Sequence, residues 1–242
     1  MSWAAPEVRK GSFDTETTGT SVTEDRIVTA ALVVRGAGKP DRSFSWVIDP
    51  GVACPVEASE VHGWTTERLR AEGQDPKAAL EDIAAKLTAV LSSGMPLVAF
   101  NAAFDWSILH NDLARHGLPS MMDRLGHDPI TLIDALVLDR AAHKYRSGSR
   151  QLKDVAGHYG IELTDWHTAE ADALAALLIA EEIGGRYPHL AAMAPRMLFD
   201  AQQQWAAEQA AGLQAYFRSA KAGAKQDPNA VIDGAWPLRG AS

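Results

Sequence analysis

Cysteine is nearly absent from this chain. Cys54 is the single one, which excludes an internal disulfide and a zinc cage built of thiolates; a reducing, cytoplasmic setting is the simplest expectation. No stretch approaches 18 consecutive apolar residues, so no membrane-spanning helix is expected. Residues Met1 to Lys10 lack the apolar core of a secretion signal. Positive charge is also in short supply: 23 Lys and Arg stand against 31 Asp and Glu, a net charge of −8. That balance argues against a protein wrapping long duplex nucleic acid by counterion release. It leaves room for an enzyme that meets an anionic substrate with metal ions. What is present is ordinary for a folded domain: 242 residues, 46% hydrophobic and 22% charged, enough for one large domain or one domain with an appendage.

The apolar pattern changes period along the chain. Ile27 to Arg35 is rich in β-branched residues, and Ser43 to Ile48 alternates as a return strand after the Gly36-Ala37-Gly38-Lys39-Pro40 turn. With the segment before them, these form an antiparallel meander. From Asp75-Pro76 onward Ala79, Leu80, Ile83, Leu87 and Val90 recur at helical spacing. Pro96 to Phe100 reads as a short buried strand followed by a helix to Gly117. Ile130 to Ile133 reads as another strand, entering a helix at Asp134. Helices are expected at Leu152 to Tyr159, Ala169 to Ile183, and Pro188 to Phe217, the last interrupted near Pro195. Strands first, then strands alternating with helices, predict an α/β domain with a mixed sheet. The division expected is a domain over 8–185, a helical extension over 186–218, and a loosely packed tail over 219–242.

The most informative stretch is Phe13-Asp14-Thr15-Glu16-Thr17-Thr18-Gly19. In a strand, a period of two points Asp14 and Glu16 to one side of the sheet. Side by side they repel, and one would be driven to hold its proton. A hard divalent cation such as Mg²⁺ relieves the conflict, because it prefers oxygen ligands; the alternative is a polar strand end running into a turn. Asn101-Ala102-Ala103-Phe104-Asp105 places Asp105 where a strand enters a helix, at the end where ligands gather in open α/β sheets; the alternative there is a helix N-cap. Asp172 opens a helix that is apolar all round from Ala173 to Ala180. A carboxylate on that surface needs a partner, a metal ion or an arginine. His167, five residues earlier, suits a general base acting near neutral pH.

The sequence FDTETTG, then NAAFD, then His-x₄-Asp, in this order, resembles the DEDDh (DnaQ-like) 3′–5′ exonucleases, the superfamily of the DNA polymerase III proofreading subunit, RNase T and oligoribonuclease. The resemblance runs over roughly residues 10 to 185. Val61-His62-Gly63, the stretch Asp134 to Arg140, Ser149 to Leu152 and Tyr159-Gly160 add smaller matches. It implies a ribonuclease H-like mixed five-stranded sheet flanked by helices, with a C-terminal helical extension. It implies that Asp14, Glu16, Asp105 and Asp172 bind two divalent metal ions (Mg²⁺ or Mn²⁺), that His167 is the base, and that Thr17, Thr18, His62 and Phe104 line the pocket for the 3′-terminal nucleotide. Two departures stand out: Phe100 falls where relatives often carry His or Tyr, and Val8 to Ser12 is more polar than the usual first strand.

The activity implied is release of 5′-mononucleotides from single-stranded or frayed 3′ ends of DNA or RNA. Under that resemblance, water would attack the terminal phosphodiester between two cations expected about 3.5–4 Å apart. A DNA polymerase or a second copy of the chain is left open as partner. Two other readings compete: a nucleic-acid-end binding module that has lost catalysis, and a hydrolase of free nucleotides. The basic run Lys144 to Lys153 reads equally as a backbone-steering loop and as a solvated one.

Overall fold

The computed structural model describes residues 2–162 and 168–240. Its described residues form one sheet from β1 (Lys10–Thr17), β2 (Ile27–Arg35), β3 (Arg42–Val47), β4 (Leu97–Ala99) and β5 (Leu132–Asp134). The spatial order is β3-β2-β1-β4-β5. The first three strands are the expected antiparallel meander, and β4 and β5 add in parallel on the other side of β1. The mixed α/β architecture is therefore the one anticipated. The strand carrying Asp14 and Glu16 lies at its centre.

Two helical layers enclose the sheet, and the alternation of side chains explains the division. Leu97 and Ala99 of β4 pack on the face covered by α3 (Pro76–Ser92) and α4 (Ala102–Arg115), against Ile83, Leu87, Ile108 and Leu109. Val98, between them, faces the opposite layer of α7 (Leu152–Tyr159) and α8 (Ala169–Arg186). A short parallel strand buried on both faces is apolar throughout for this reason. Shorter helices fill the connections: α1 (Val56–His62), α2 (Thr66–Glu72) and α5 (Met121–Leu125). With α6 (Ala135–Ala142), α9 (Pro188–Ala191) and α10 (Pro195–Arg218), they complete the α-helices among the described residues, and a 3-10 helix follows at Ala220–Lys225. The break before Pro195 separates α9 from α10.

The polar start of β1 has a structural cause. Lys10 is fully buried, yet its ammonium donates to the carbonyls of Ala5 (2.7 Å) and Val8 (2.9 Å) and pairs with Glu181 of α8 at 3.1 Å. A buried charge is tolerable only with such a complete set of partners.

Gly73 closes α2 against the backbone following β3. A Cβ there would lie 2.4 Å from both the Asp49 nitrogen and the Leu69 oxygen. Neither backbone atom can swing away. Gly73→Ala is expected to cost about 1–3 kcal/mol, as overpacking does, and to lower the melting temperature by several degrees in a circular-dichroism scan. An unchanged melting temperature would mean the α2 junction relaxes freely.

The C-terminal region is anchored more firmly than a loose tail. Gln202 of α10 is buried; its amide donates to the Leu132 carbonyl (3.1 Å) and its oxygen accepts from the Asp134 N–H (2.7 Å), covering the outer edge of β5. Edge strands need such cover. Beyond α10, Trp236 is 6% exposed, packs on Phe199 with ring centroids 5.1 Å apart, and donates through Nε1 to Asp134 Oδ2 at 3.1 Å. Arg239 follows, with its backbone N–H on Ser107 Oγ and its guanidinium on Asn101 Oδ1.

The basic run 144–153 is neither wholly steering nor wholly solvated. Arg146 and Arg150 turn inward onto Asp139, which has no exposed surface and also accepts from the Tyr159 hydroxyl (3.0 Å). Lys144 and Lys153 are exposed. Half of the run's charge is spent on the fold.

Candidate active site

β1 delivers the first two carboxylates as its period requires. Asp14 pairs with Ala31 and Glu16 with Thr29 in the antiparallel ladder, and the register shifts between Glu16 and Thr17. Such a bulge re-aims the chain at the end of a strand. It releases Thr17 and Thr18 into the loop, where Thr18 Oγ1 donates to Asp25 Oδ1 at 2.8 Å. Asp25 also accepts from the Ser21 N–H, so this loop is closed on itself.

The other two carboxylates arrive on helix N-termini. Asp105 is the fourth residue of α4 and Asp172 the fourth of α8. A first-turn carboxylate is favoured by the unsatisfied amides and the dipole there. The N-cap alternative for Asp105 does not hold: the cap position is Asn101, at φ 65°, a left-handed conformation that asparagine tolerates better than most residues. That displacement carries Asp105 one turn inward, where it is 4% exposed.

Carboxylate oxygens of Asp14, Glu16 and Asp172 lie within 4.8 Å of one another. Asp105 approaches from the opposite face of β1, and Thr15, between the two acids, donates to its Oδ1 at 2.8 Å. The electrostatics record the crowding. Burial, then the charges of Asp105, Asp172 and Glu16, hold the Asp14 carboxyl well above its usual range. Burial and the charges of Asp172 and Asp105 push Glu16 to about 8. Burial raises Asp105 to about 7 against the opposing hydrogen bond from Thr15. Three acids gathered this closely, with Asp105 nearby, favour either protons or a cation. An all-carboxylate donor set suits a hard divalent ion, and Asp14, Glu16 and Asp172 are the residues placed to hold one.

Beside the cluster a cleft of about 610 Å³ is lined by Glu16, Thr17, Thr18, His62 and Phe104. All four residues expected to line a nucleotide pocket thus share one cavity with a cluster acid. Burial lowers the His62 pKa, partly offset by the Thr17 backbone, so the ring is neutral near pH 7. Its Nδ1 accepts from the Trp64 N–H (3.2 Å), leaving the ring proton on Nε2. His167 lies outside the described residues. Sequence reasoning missed Thr15, Asp25 and Glu57. Thr15 carried a signal, since a period of two sends it to the face from which α4 approaches; Asp25 and Glu57, which also line the cleft, carried none.

A mixed sheet flanked by helices, with an acidic cluster at the end of its central strand, defines a ribonuclease H-like domain. A family model described as RNase T, exonuclease, matches residues 12–180. The chain belongs to that family, the DEDDh (DnaQ-like) 3′–5′ exonucleases. It is 34% identical over 148 residues to human three-prime repair exonuclease 1, covering 57% of this chain and 46% of the relative. It is 28% identical to the DNA polymerase III subunit epsilon of Treponema pallidum, covering 67% and 70%, and 30% identical to the PolC-type DNA polymerase III of Lacticaseibacillus paracasei, covering 66% and 10%. The chain therefore spans a tenth of the PolC-type polymerase and under half of the human exonuclease. Among solved structures, E. coli exonuclease I in complex with a dT13 oligonucleotide shares the fold, with a TM-score of 0.64 at 22% identity over 76% of this chain and 42% of that one. No helix among the described residues is long and apolar enough to cross a membrane.

Proposed function

We propose that this chain is a metal-dependent 3′–5′ exonuclease that releases 5′-mononucleotides from single-stranded or frayed DNA ends. One observation carries the reading: acids from β1 and from α8, more than 150 residues apart in sequence, bring oxygens within 4.8 Å of one another at the mouth of a nucleotide-sized cleft. A pair of divalent ions, Mg²⁺ or Mn²⁺, supplies charge neutralisation at the phosphodiester and a more acidic bound water. The residues do the rest. Asp14, Glu16 and Asp172 hold the cations and Asp105 completes the set, kept in orientation by Thr15. Thr17, Thr18 and His62 surround the terminal nucleotide, and Phe104 offers a ring to its base, a sequence-tolerant contact of about 1–3 kcal/mol. His167 is the general base that takes the proton of the attacking water.

The test is a ladder assay with 5′-labelled single-stranded DNA and RNA oligomers and Mn²⁺. The expected outcome is stepwise shortening from the 3′ end of the DNA, abolished by EDTA and reduced about a hundred- to a thousandfold in Asp14→Ala, the order of loss when a charge-stabilising group is removed. Persistent shortening in Asp14→Ala, or retention of full-length oligomer by the parent protein, overturns the proposal.

A further inference from the structure

A second cleft, of about 320 Å³, opens on the other side of the first turn of α4, between α6, α10 and the C-terminal segment. Arg140 of α6 and Arg239 of the C-terminal segment both line it. We propose that this cleft is a phosphate subsite, in which the two guanidinium groups hold a backbone phosphate of the single strand upstream of its reacting 3′ end. The inference rests on the exonuclease reading for the identity of the ligand.

Three observations carry it. First, the arginines have hydrogen-bond donors to spare. Arg140 is only partly exposed and makes no hydrogen bond or ion pair with any described residue, unlike Arg146 and Arg150, which are committed to Asp139. Arg239 donates from one terminal nitrogen to Asn101 Oδ1 (3.1 Å), while its buried Nε has no acceptor among the described residues. Second, the nearby carboxylates are already engaged. Asp134 accepts from the amides of Asn101, Leu136 and Val137 and from the Trp236 indole. Asp233, which lines the cleft, accepts from the amides of Ala235 and Gly240. A buried donor left without an acceptor is costly, and a planar fork of donors is suited to phosphate oxygens.

Third, the placement is continuous with the catalytic cleft. Asn101 lines the arginine cleft and Phe104 the catalytic one, and the Phe104 N–H donates to the Asn101 carbonyl at 2.8 Å. The residues lining the two clefts thus meet at the first turn of α4. Leu213 and the exposed Val231 add an apolar wall on which a sugar or base can rest. Arg239 and Val231 lie beyond residues 12–180, the span of the family match, so the subsite is an addition made by the C-terminal segment.

The experiment uses the full chain. Affinity for a fluorescent single-stranded oligomer of about twelve nucleotides is measured in Ca²⁺ across a salt series, and hydrolysis of a thymidine 5′-monophosphate nitrophenyl ester is measured in Mn²⁺. Arg140→Gln is the primary variant, because Arg140 makes no hydrogen bond that the fold would lose. It is expected to weaken oligomer binding about five- to tenfold and to reduce the slope of log affinity against log salt by about 0.7, the value for one phosphate on a single strand. On the nucleotide ester, too short to reach the cleft, the loss shrinks to less than twofold. Arg239→Lys, which keeps the charge but loses the fork, is expected to fall between the parent and Arg140→Gln. Unchanged oligomer affinity and salt slope in Arg140→Gln overturn the subsite, as does an equal loss on ester and oligomer. If the parent binds the oligomer, Arg140→Gln weakens it, and neither substrate is cleaved, the subsite stands and the exonuclease reading falls.

Discussion

Glu16→Gln is expected to make the metal-free protein more heat-stable at pH 8.5 while abolishing nucleotide release. The sign follows from protonation. The Glu16 carboxyl sits at about 8 in the fold and Asp105 at about 7, with Asp14 also raised, whereas in the unfolded chain such groups titrate near about 4. Their contribution to stability is fully present below the unfolded values and is lost as pH rises through about 7 to 8, because the unfolded chain has then released protons that the fold still holds. Each unit of difference corresponds to about 1.4 kcal/mol, and 1 kcal/mol moves the melting temperature of a domain this size by about 2–4 °C. A gain on the order of 10 °C is therefore expected for Glu16→Gln at pH 8.5 in EDTA, vanishing by pH 4. Mg²⁺ or Mn²⁺ should reverse the order: it stabilises the parent chain, more so at high pH, and the variant hardly at all. A metal-free parent whose melting temperature stays flat from pH 6 to 9, or a variant no more stable than it, would show that the acids are not in conflict.

The second large effect is expected at Asp134, which lies outside the acidic cluster. It is 1% exposed, caps α6 through the amides of Leu136 and Val137, accepts from the Asn101 N–H, and receives the Trp236 indole. Asp134→Ala leaves four donors without their acceptor, and each buried orphan costs about 1–3 kcal/mol. Allowing for water entering the gap, a loss of about 3–5 kcal/mol is expected in urea unfolding, with Asp134→Asn losing less because its amide oxygen still accepts. A loss below about 1 kcal/mol for the alanine variant would mean that the C-terminal segment does not depend on this carboxylate.

The acids of this protein show what is legible in a sequence and what is not. Asp14 and Glu16 could be assigned a common side because strand period is local. Asp172 could be flagged because an acid opening an all-apolar helix demands a partner. Asp105 was ambiguous, since a helix start offers one residue the cap; the structure gives that role to Asn101, and the reason is its left-handed backbone rather than any side-chain signal. Trp236 was unreadable: its partner Asp134 lies 102 residues away, and a segment of Gly, Ala and Pro gives no period from which docking could be inferred. Arg146 and Arg150 were misjudged as surface charge because their partner, Asp139, reads in sequence as one acid within an apolar helix.

The strand that joins these parts serves two masters. Alternate residues of β1 send Asp14 and Glu16 toward α8, and Thr15 toward Asp105 on α4. A slip of one position would exchange the two sets wholesale, turning hydroxyls toward Asp172 and acids into the apolar layer. Chemistry here is thus encoded in parity: an even shift preserves the sidedness of the strand, and an odd one erases it while leaving the composition untouched.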